Sequence, residues 1–117
     1  MKKTELGQKG EKIAKVFLKK LDYVIITQNY RCSQGEIDII ATDKNELVFV
    51  EVKTRCSKKY GEAREAVNQY KKKHIKRAAM AYITKHKLEN QWIRFDVIEI
   101  YMRDDKYSIY HIKNTLW

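Results

Sequence analysis

Between Gly35 and Arg55 the chain reads G-E-I-D-I-I-A-T-D-K-N-E-L-V-F-V-E-V-K-T-R. Two short apolar runs, Ile37 to Ala41 and Leu47 to Val52, flank the polar tetrad Asp43-Lys44-Asn45-Glu46, the pattern of a β-hairpin. Side chains alternate along a strand, so Val48, Val50 and Val52 share one face while Leu47, Phe49, Glu51 and Lys53 share the other. A strand apolar on both faces is one buried on both faces. At its end, however, one face changes from Phe49 to a carboxylate and then an ammonium. Charge at such a place is costly unless it is paired or bound to a metal. By the same alternation Glu36, Asp38 and Ile40 share a face of the first strand, so that Asp38 lies beside Glu51 if the hairpin register is right. Two adjacent carboxylates repel, and one takes up a proton unless a cation lies between them. Oxygen ligands suit a hard ion such as Mg2+ or Mn2+. Lys53, two residues beyond Glu51, projects onto the same site. An acid on one strand and acid-x-lysine on its neighbour is a working arrangement for metal-assisted phosphodiester cleavage. The plainer reading of the same spacing is a pair of cross-strand ion pairs on an ordinary surface.

These residues carry a resemblance. Gly35-Glu36-Ile37-Asp38 followed by Phe49-Val50-Glu51-Val52-Lys53-Thr54-Arg55 resembles the PD-(D/E)-x-K nuclease core, with Ile37 where many members have Pro. More closely, the chain resembles the YraN-like family of bacterial proteins, which are similar to Holliday junction resolvases. Gly10-Glu11 with Ala14, Asn29-Tyr30-Arg31, Tyr60-Gly61, Ala66-Val67, Lys71, Ala79 with Tyr82, and Arg94-Phe95-Asp96-Val97 extend the likeness over nearly the whole chain. The resemblance implies a restriction-endonuclease-like fold. It also implies a divalent ion held by Asp38 and Glu51, with an acid of the first helix, here Glu11, completing the ligands. By analogy with resolvases, whose junction substrates have two-fold symmetry, it implies a homodimer.

Charge is distributed in the same sense. The net charge is +10 in 117 residues. Residues 1–20 carry +5, residues 21–52 carry −4, residues 53–87 carry +10 and the remainder −1. An acidic centre between basic flanks provides anions for a metal and cations for a phosphate backbone. Arg31, Arg55, Lys58, Lys59, Lys72, Lys73, Lys76 and Arg77 are the candidates for the backbone contacts. A solvated, lysine-rich surface is the alternative for these side chains, and for Arg31 so is neutralisation of Glu36. The tyrosines are dispersed and form no evident stacking motif for single strands.

The rest of the chain reads as alternating helices and strands. Thr4 to Leu21 has Ile13, Phe17 and Leu21 at i, i+4, i+8, with lysines opposite. Glu11 lies in a row with Ala14 and Leu18, toward the buried side, although an i, i+4 pair with Lys15 would also occupy it. Tyr23 to Tyr30 reads as a strand, and Gly35 ends the turn into the next. The segment after Lys53 lacks a period, and Glu62 to Asn68 reads as a short helical turn. Gln69 or Tyr70 to Lys87 is the strongest helix, with Ile75, Ala79, Tyr82 and Ile83 inward. Lys71 leans the same way near the helix N-terminus, where a cation opposes the macrodipole and so points to an anion close by. With Glu36 it stands behind the ligands. Trp92 to Met102 and Tyr107 to Lys113 form a last hairpin.

The architecture expected is α/β in one domain: a mixed sheet of about five strands with helices on its faces. No apolar run is long enough for a membrane span and no signal peptide is evident, so the expected compartment is the cytoplasm. There Cys32 and Cys56 stay reduced; with three scattered histidines they make no zinc spacing. The function these readings favour is a Mg2+- or Mn2+-dependent endonuclease, with DNA, branched or damaged, as its partner. The alternative is a nucleic-acid-binding module that keeps the nuclease fold without turnover.

Overall fold

The computed structural model describes residues 4–56 and 69–115. The chain forms α1 (Glu5–Lys20), β1 (Val24–Cys32), β2 (Gly35–Asp43), β3 (Glu46–Arg55), α2 (Gln69–Lys85), β4 (Trp92–Arg103) and β5 (Lys106–Ile112). The five strands make one sheet in the order β1-β2-β3-β4-β5. Pairing is antiparallel except between β3 and β4, which run parallel because α2 carries the chain back across the sheet. The expected mixed sheet with helices on its faces is the one observed. Lys58, Lys59, Tyr60-Gly61, Ala66-Val67 and the helical turn expected at 62–68 lie outside the described residues.

Strand alternation divides the core in two. Ile39, Ala41, Val48, Val50, Ile98 and Ile100 meet Ala14 and Leu18 of α1 on one face. Ile37, Ile40, Leu47 and Phe49 meet Ile75, Ala78, Ala79, Tyr82 and Ile83 of α2 on the other. The continuous apolar sequence of β2 and β3 follows from this double burial.

Helix α1 starts at Thr4, whose hydroxyl accepts the Gly7 amide at 3.0 Å and so satisfies one of the free N–H groups of the first turn. Its buried row is Gly10, Glu11, Ala14 and Leu18, while Ile13 and Phe17 are only partly covered and Leu21 is exposed. The helix is therefore rotated from the stripe that its larger apolar residues suggest. Small residues explain the rotation. A Cβ at Gly10 would stand 1.9 Å from Thr54 Oγ1 and 2.9 Å from Thr54 Cβ, so the helix backbone lies directly on β3. No rotamer of Thr54 moves its own Cβ. Gly10→Ala should therefore cost stability, ~1–3 kcal/mol by overpacking less the ~1 kcal/mol gained in helix propensity. A urea denaturation midpoint equal to or above wild type would show that the contact is looser than this.

Two departures from regular pairing shape the far end of β2. Ile37 and Ile40 both join the core beneath α2, whereas Ile39 and Ala41 face α1. Alternation thus slips by one residue between Ile37 and Ile39, and the simple expectation that Glu36, Asp38 and Ile40 share a face does not hold through Asp38. Opposite this point on β1, Asn29 has a left-handed backbone with φ of 52°. The β2–β3 ladder also stops, with Ile39 opposite Val50 as its last pair. Beyond it the strands separate, and the space between them is the cleft described next.

Candidate active site

Where β2 and β3 part, the Val52 amide loses a ladder partner. The carboxylate of Asp38 takes it, with Oδ2 accepting the Val52 N–H at 2.8 Å. This bond fixes Asp38 against β3, beside Glu51. Both carboxylates are 5 % exposed. Glu51 receives two ammonium groups, Lys71 Nζ at 2.6 Å and Lys53 Nζ at 3.6 Å. Glu36, Asp38, Glu51, Val52 and Lys71 line a cleft of about 140 Å³. That is room for several waters at about 30 Å³ each, or for a hydrated cation.

Burial and like charge act together on Glu51. Desolvation first, and the Asp38 carboxylate second, raise its pKa to about 7, against the lowering pull of Lys71 and Lys53. Lys53 moves the other way. Burial, then the neighbouring Lys71 ammonium, bring it down to about 8 although Glu51 pulls upward. Burial lowers Lys71 as well, but Glu51 more than offsets it and the net direction is up. The site thus holds a carboxyl and an amine whose affinities for a proton have been drawn together across neutral pH, a condition typical of functional clefts.

The predicted residues fall into three groups. Asp38, Glu51, Lys53, Glu36 and Lys71 are brought together. Lys71 crosses from the first turn of α2 to Glu51, so the anion that its position in the helix suggested is this carboxylate. Glu11 is buried on α1, one residue from the Gly10–Thr54 contact, on the helix that covers the other face of the sheet. Among the described residues no three acidic, cysteine or histidine side chains converge on a single metal position. A third group lies at the surface. Arg31 Nε is 3.6 Å from Glu36 Oε1, the neutralising contact that its position allowed. Lys73, Lys76 and Arg77 are exposed, and Lys72 and Arg55 are half-buried.

One residue near the site was missed. Glu99 of β4 stands opposite Lys53 in the parallel ladder, two residues along from the Glu51–Val97 pair, and is 1 % exposed. Phe49 and Phe95, stacked at 5.5 Å beneath α2, place Glu51, Lys53 and Glu99 on that same face. The signal was available. Ile93, Phe95 and Val97 run apolar along one face of the last long strand, and Glu99 interrupts them as Glu51 interrupts its own run.

Asp96 has a different task. At 0 % exposure it takes Arg94 through Nε at 2.9 Å and Nη2 at 3.0 Å, His111 Nε2 at 2.8 Å, and the Asn114 amide at 3.0 Å. It stands opposite Val50 in the β3–β4 ladder but on the α1 face, across the sheet from the cleft, and takes no part in it.

Comparison with known proteins agrees with the likeness noted in the sequence. Residues 10–100 match the family described as "Uncharacterised protein family UPF0102". A UPF0102 protein of Caldicellulosiruptor saccharolyticus is 47% identical over 117 residues, covering 98% of this chain and 99% of that one. One from Clostridium acetobutylicum is 47% identical over 111 residues, covering 93% of this chain and 91% of its own length. One from Clostridium botulinum strain 657 is 46% identical over 114 residues, covering 95% and 93%. With the family match spanning residues 10–100 and relatives 46–47% identical along nearly their whole length, the chain belongs to the UPF0102 family, the YraN-like proteins.

Proposed function

We propose that this protein is a Mg2+- or Mn2+-dependent nuclease acting on DNA phosphodiester bonds. The observation that carries the reading is the meeting of Asp38, Glu51, Lys53 and Lys71 in a polar cleft at the point where two strands separate. Oxygen donors, a Glu51 carboxyl that burial first and the Asp38 charge second bring up to about 7, and room for a hydrated ion suit a hard divalent cation. Asp38 and Glu51 would hold it, with water completing its shell; Glu11, the third acid that the resemblance implies, lies on the helix of the opposite face and does not join them among the described residues. Bound there, the ion would supply a water of lowered pKa and offset charge on the pentavalent phosphorus.

The remaining chemistry belongs to the chain. The Val52 amide keeps one Asp38 oxygen engaged and so orients the other. Lys53, with its pKa brought down to about 8, holds or releases a proton at the attacking water at little cost near neutral pH. Lys71 neutralises Glu51 while no ion is bound and offers its charge to a phosphate when one is. Arg55, Lys72, Lys73, Lys76 and Arg77, with Lys58 and Lys59 beside them in sequence, supply the contacts to the backbone.

Wild type incubated with junction, flap and linear DNA should cut in Mg2+ or Mn2+. Asp38→Ala and Lys53→Ala should each reduce the rate by about 10²-fold or more, the scale of losing a positioned acid–base or electrostatic group. Equal cutting by either variant, or no cutting by wild type in any metal, would reject the enzyme reading. The second of these outcomes, with salt-sensitive DNA binding retained, would instead favour a binding module without turnover.

A further inference from the structure

We propose that the outer stripe of α2 binds an unpaired segment of nucleic acid leading out of the cleft, so that the substrate carries a single-stranded arm. Tyr70, His74, Arg77, Ala81 and Thr84 recur at i, i+4, i+7, i+11 and i+14, one line along the helix. The line runs ~21 Å at the usual rise per residue. It begins at Tyr70, adjacent in sequence to the Lys71 that reaches into the cleft. The Tyr70 side chain is 73 % exposed, with its ring 4.4 Å from that of His74.

The β1–β2 turn forms the other wall. His74 Nδ1 lies 3.0 Å from the Gln34 carbonyl oxygen, and in the tautomer with its proton on Nδ1 it donates to it. A Cβ at Gly35 would lie 2.8 Å from the His74 carbonyl oxygen, so the turn is pressed onto the helix there. From that point a groove of about 560 Å³ opens between Gln34 and the helix, floored by Met80 and Ala81 and rimmed by Lys76, Arg77 and Lys85. Gln34 lines this groove and Glu36 lines the cleft, so only Gly35 separates the two along the chain.

The chemistry of the groove selects its occupant. Lysine and arginine on the rim match phosphates of any nucleic acid. An exposed tyrosine face and an apolar floor with Met80 at 56 % exposure match base faces. A duplex keeps those faces stacked inside, whereas an unpaired strand offers each one to a ring. The inference rests on the nuclease reading only for the direction in which the strand leaves.

Its test needs no turnover. Fluorescence anisotropy in a metal-free, chelator-containing buffer would compare a short labelled oligothymidylate, an oligouridylate and a duplex of equal length. Wild type should bind the single strands more tightly than the duplex. Tyr70→Ala should weaken single-strand binding about tenfold and leave duplex binding within about twofold, with Tyr70→Phe close to wild type. Equal affinity for strand and duplex, no binding of either, or a Tyr70→Ala loss shared by both would overturn the proposal. A wild type that binds single strands in this way but cuts nothing in any metal would sink the nuclease reading and leave the track standing.

Discussion

Arg94→Met should destabilise the fold by ~3–5 kcal/mol, the scale of breaking a buried ion pair by removing one partner. The guanidinium is buried and finds five acceptor atoms on four side chains besides its packing. It donates to both oxygens of Asp96, to Asp43 Oδ2 at 3.1 Å, to Glu46 Oε1 at 2.7 Å and to the Tyr23 hydroxyl. These partners belong to the end of β2, the start of β3, β4 itself and the residue that leads into β1. Methionine fills much of the volume but, among the described residues, leaves Asp96, at 0 % exposure, with His111 and the Asn114 amide alone. Removing both charges, as in Arg94→Met with Asp96→Leu, should cost less than the sum of the two single changes, because neither partner is then left alone. A loss below ~1 kcal/mol for Arg94→Met in urea titration would show the network to be dispensable.

The same network sets a direction in acid. Burial pushes the Asp96 carboxyl up, but bonds from His111, Arg94 and the Asn114 amide outweigh it and hold it below the ordinary carboxylate value. A carboxyl held down in the fold stabilises above its unfolded pKa, and that contribution is lost as pH falls through the folded value. The cleft lies on the opposite face of the sheet and behaves oppositely.

Divalent-ion affinity should rise steeply with pH and level off above about 7. Below that value Glu51 carries a proton, which an incoming cation must displace, so affinity should fall by about tenfold for each unit of pH. Calorimetric titration with Mg2+ or Mn2+ between pH 5.5 and pH 8.5 reads this directly. Asp38→Asn removes the like charge that helps raise Glu51, so the weaker binding that remains should level off at lower pH. Stability should move the other way. Glu51 has an ordinary pKa of 4.5 in the unfolded chain and about 7 in the fold, so the folded state holds the proton more strongly. Its ionisation costs stability as pH rises through that window, and the full cost is present above about 7. Glu51→Gln should therefore melt above wild type at pH 8, with the gap closing toward pH 5. Added Mg2+ should raise the wild-type melting temperature at pH 8 and leave that of Glu51→Gln nearly unchanged. An affinity flat across the range, or a Glu51→Gln variant that melts below wild type at pH 8, would count against both the raised carboxyl and its place in the cleft.

Much of this architecture is legible in the sequence. The helix beginning at Thr4, the polar tetrad that turns β2 into β3, and the long helix that crosses back to a mixed sheet follow from local signals. So does the inward lean of Lys71, because a cation in the first turn of a helix requires an anion in front of it. The charge anomaly at Glu51 and Lys53 was visible as a break in alternation. The same break at Glu99 was equally visible and went unread. Asp96, part of the Arg94-Phe95-Asp96-Val97 signature, serves Arg94, His111 and a backbone amide. The tyrosines, dispersed along the chain, gave no sign of a stacking surface. The exposed Tyr70 ring is packed on His74, which the β1–β2 turn presses against, and the groove beyond them is formed by that same turn and α2.

The order of residues alone determined the family, the helices and strands, the double burial of the central hairpin and the acids and lysines gathered at its end. Periodicity and local charge are properties of neighbours along the chain, and they need no tertiary contact to be read. Only the folded molecule decided where β2 leaves β3. That depends on a slip of alternation near Asp38 and on one side-chain carboxylate accepting the Val52 amide, a choice between a ladder bond and a side-chain bond of similar strength. It alone also decided the rotation of α1 toward Gly10 and the capture of Glu51 by Lys71. Those depend on how closely two backbones pack and how far a long side chain reaches, and neither distance is written in the spacing of residues.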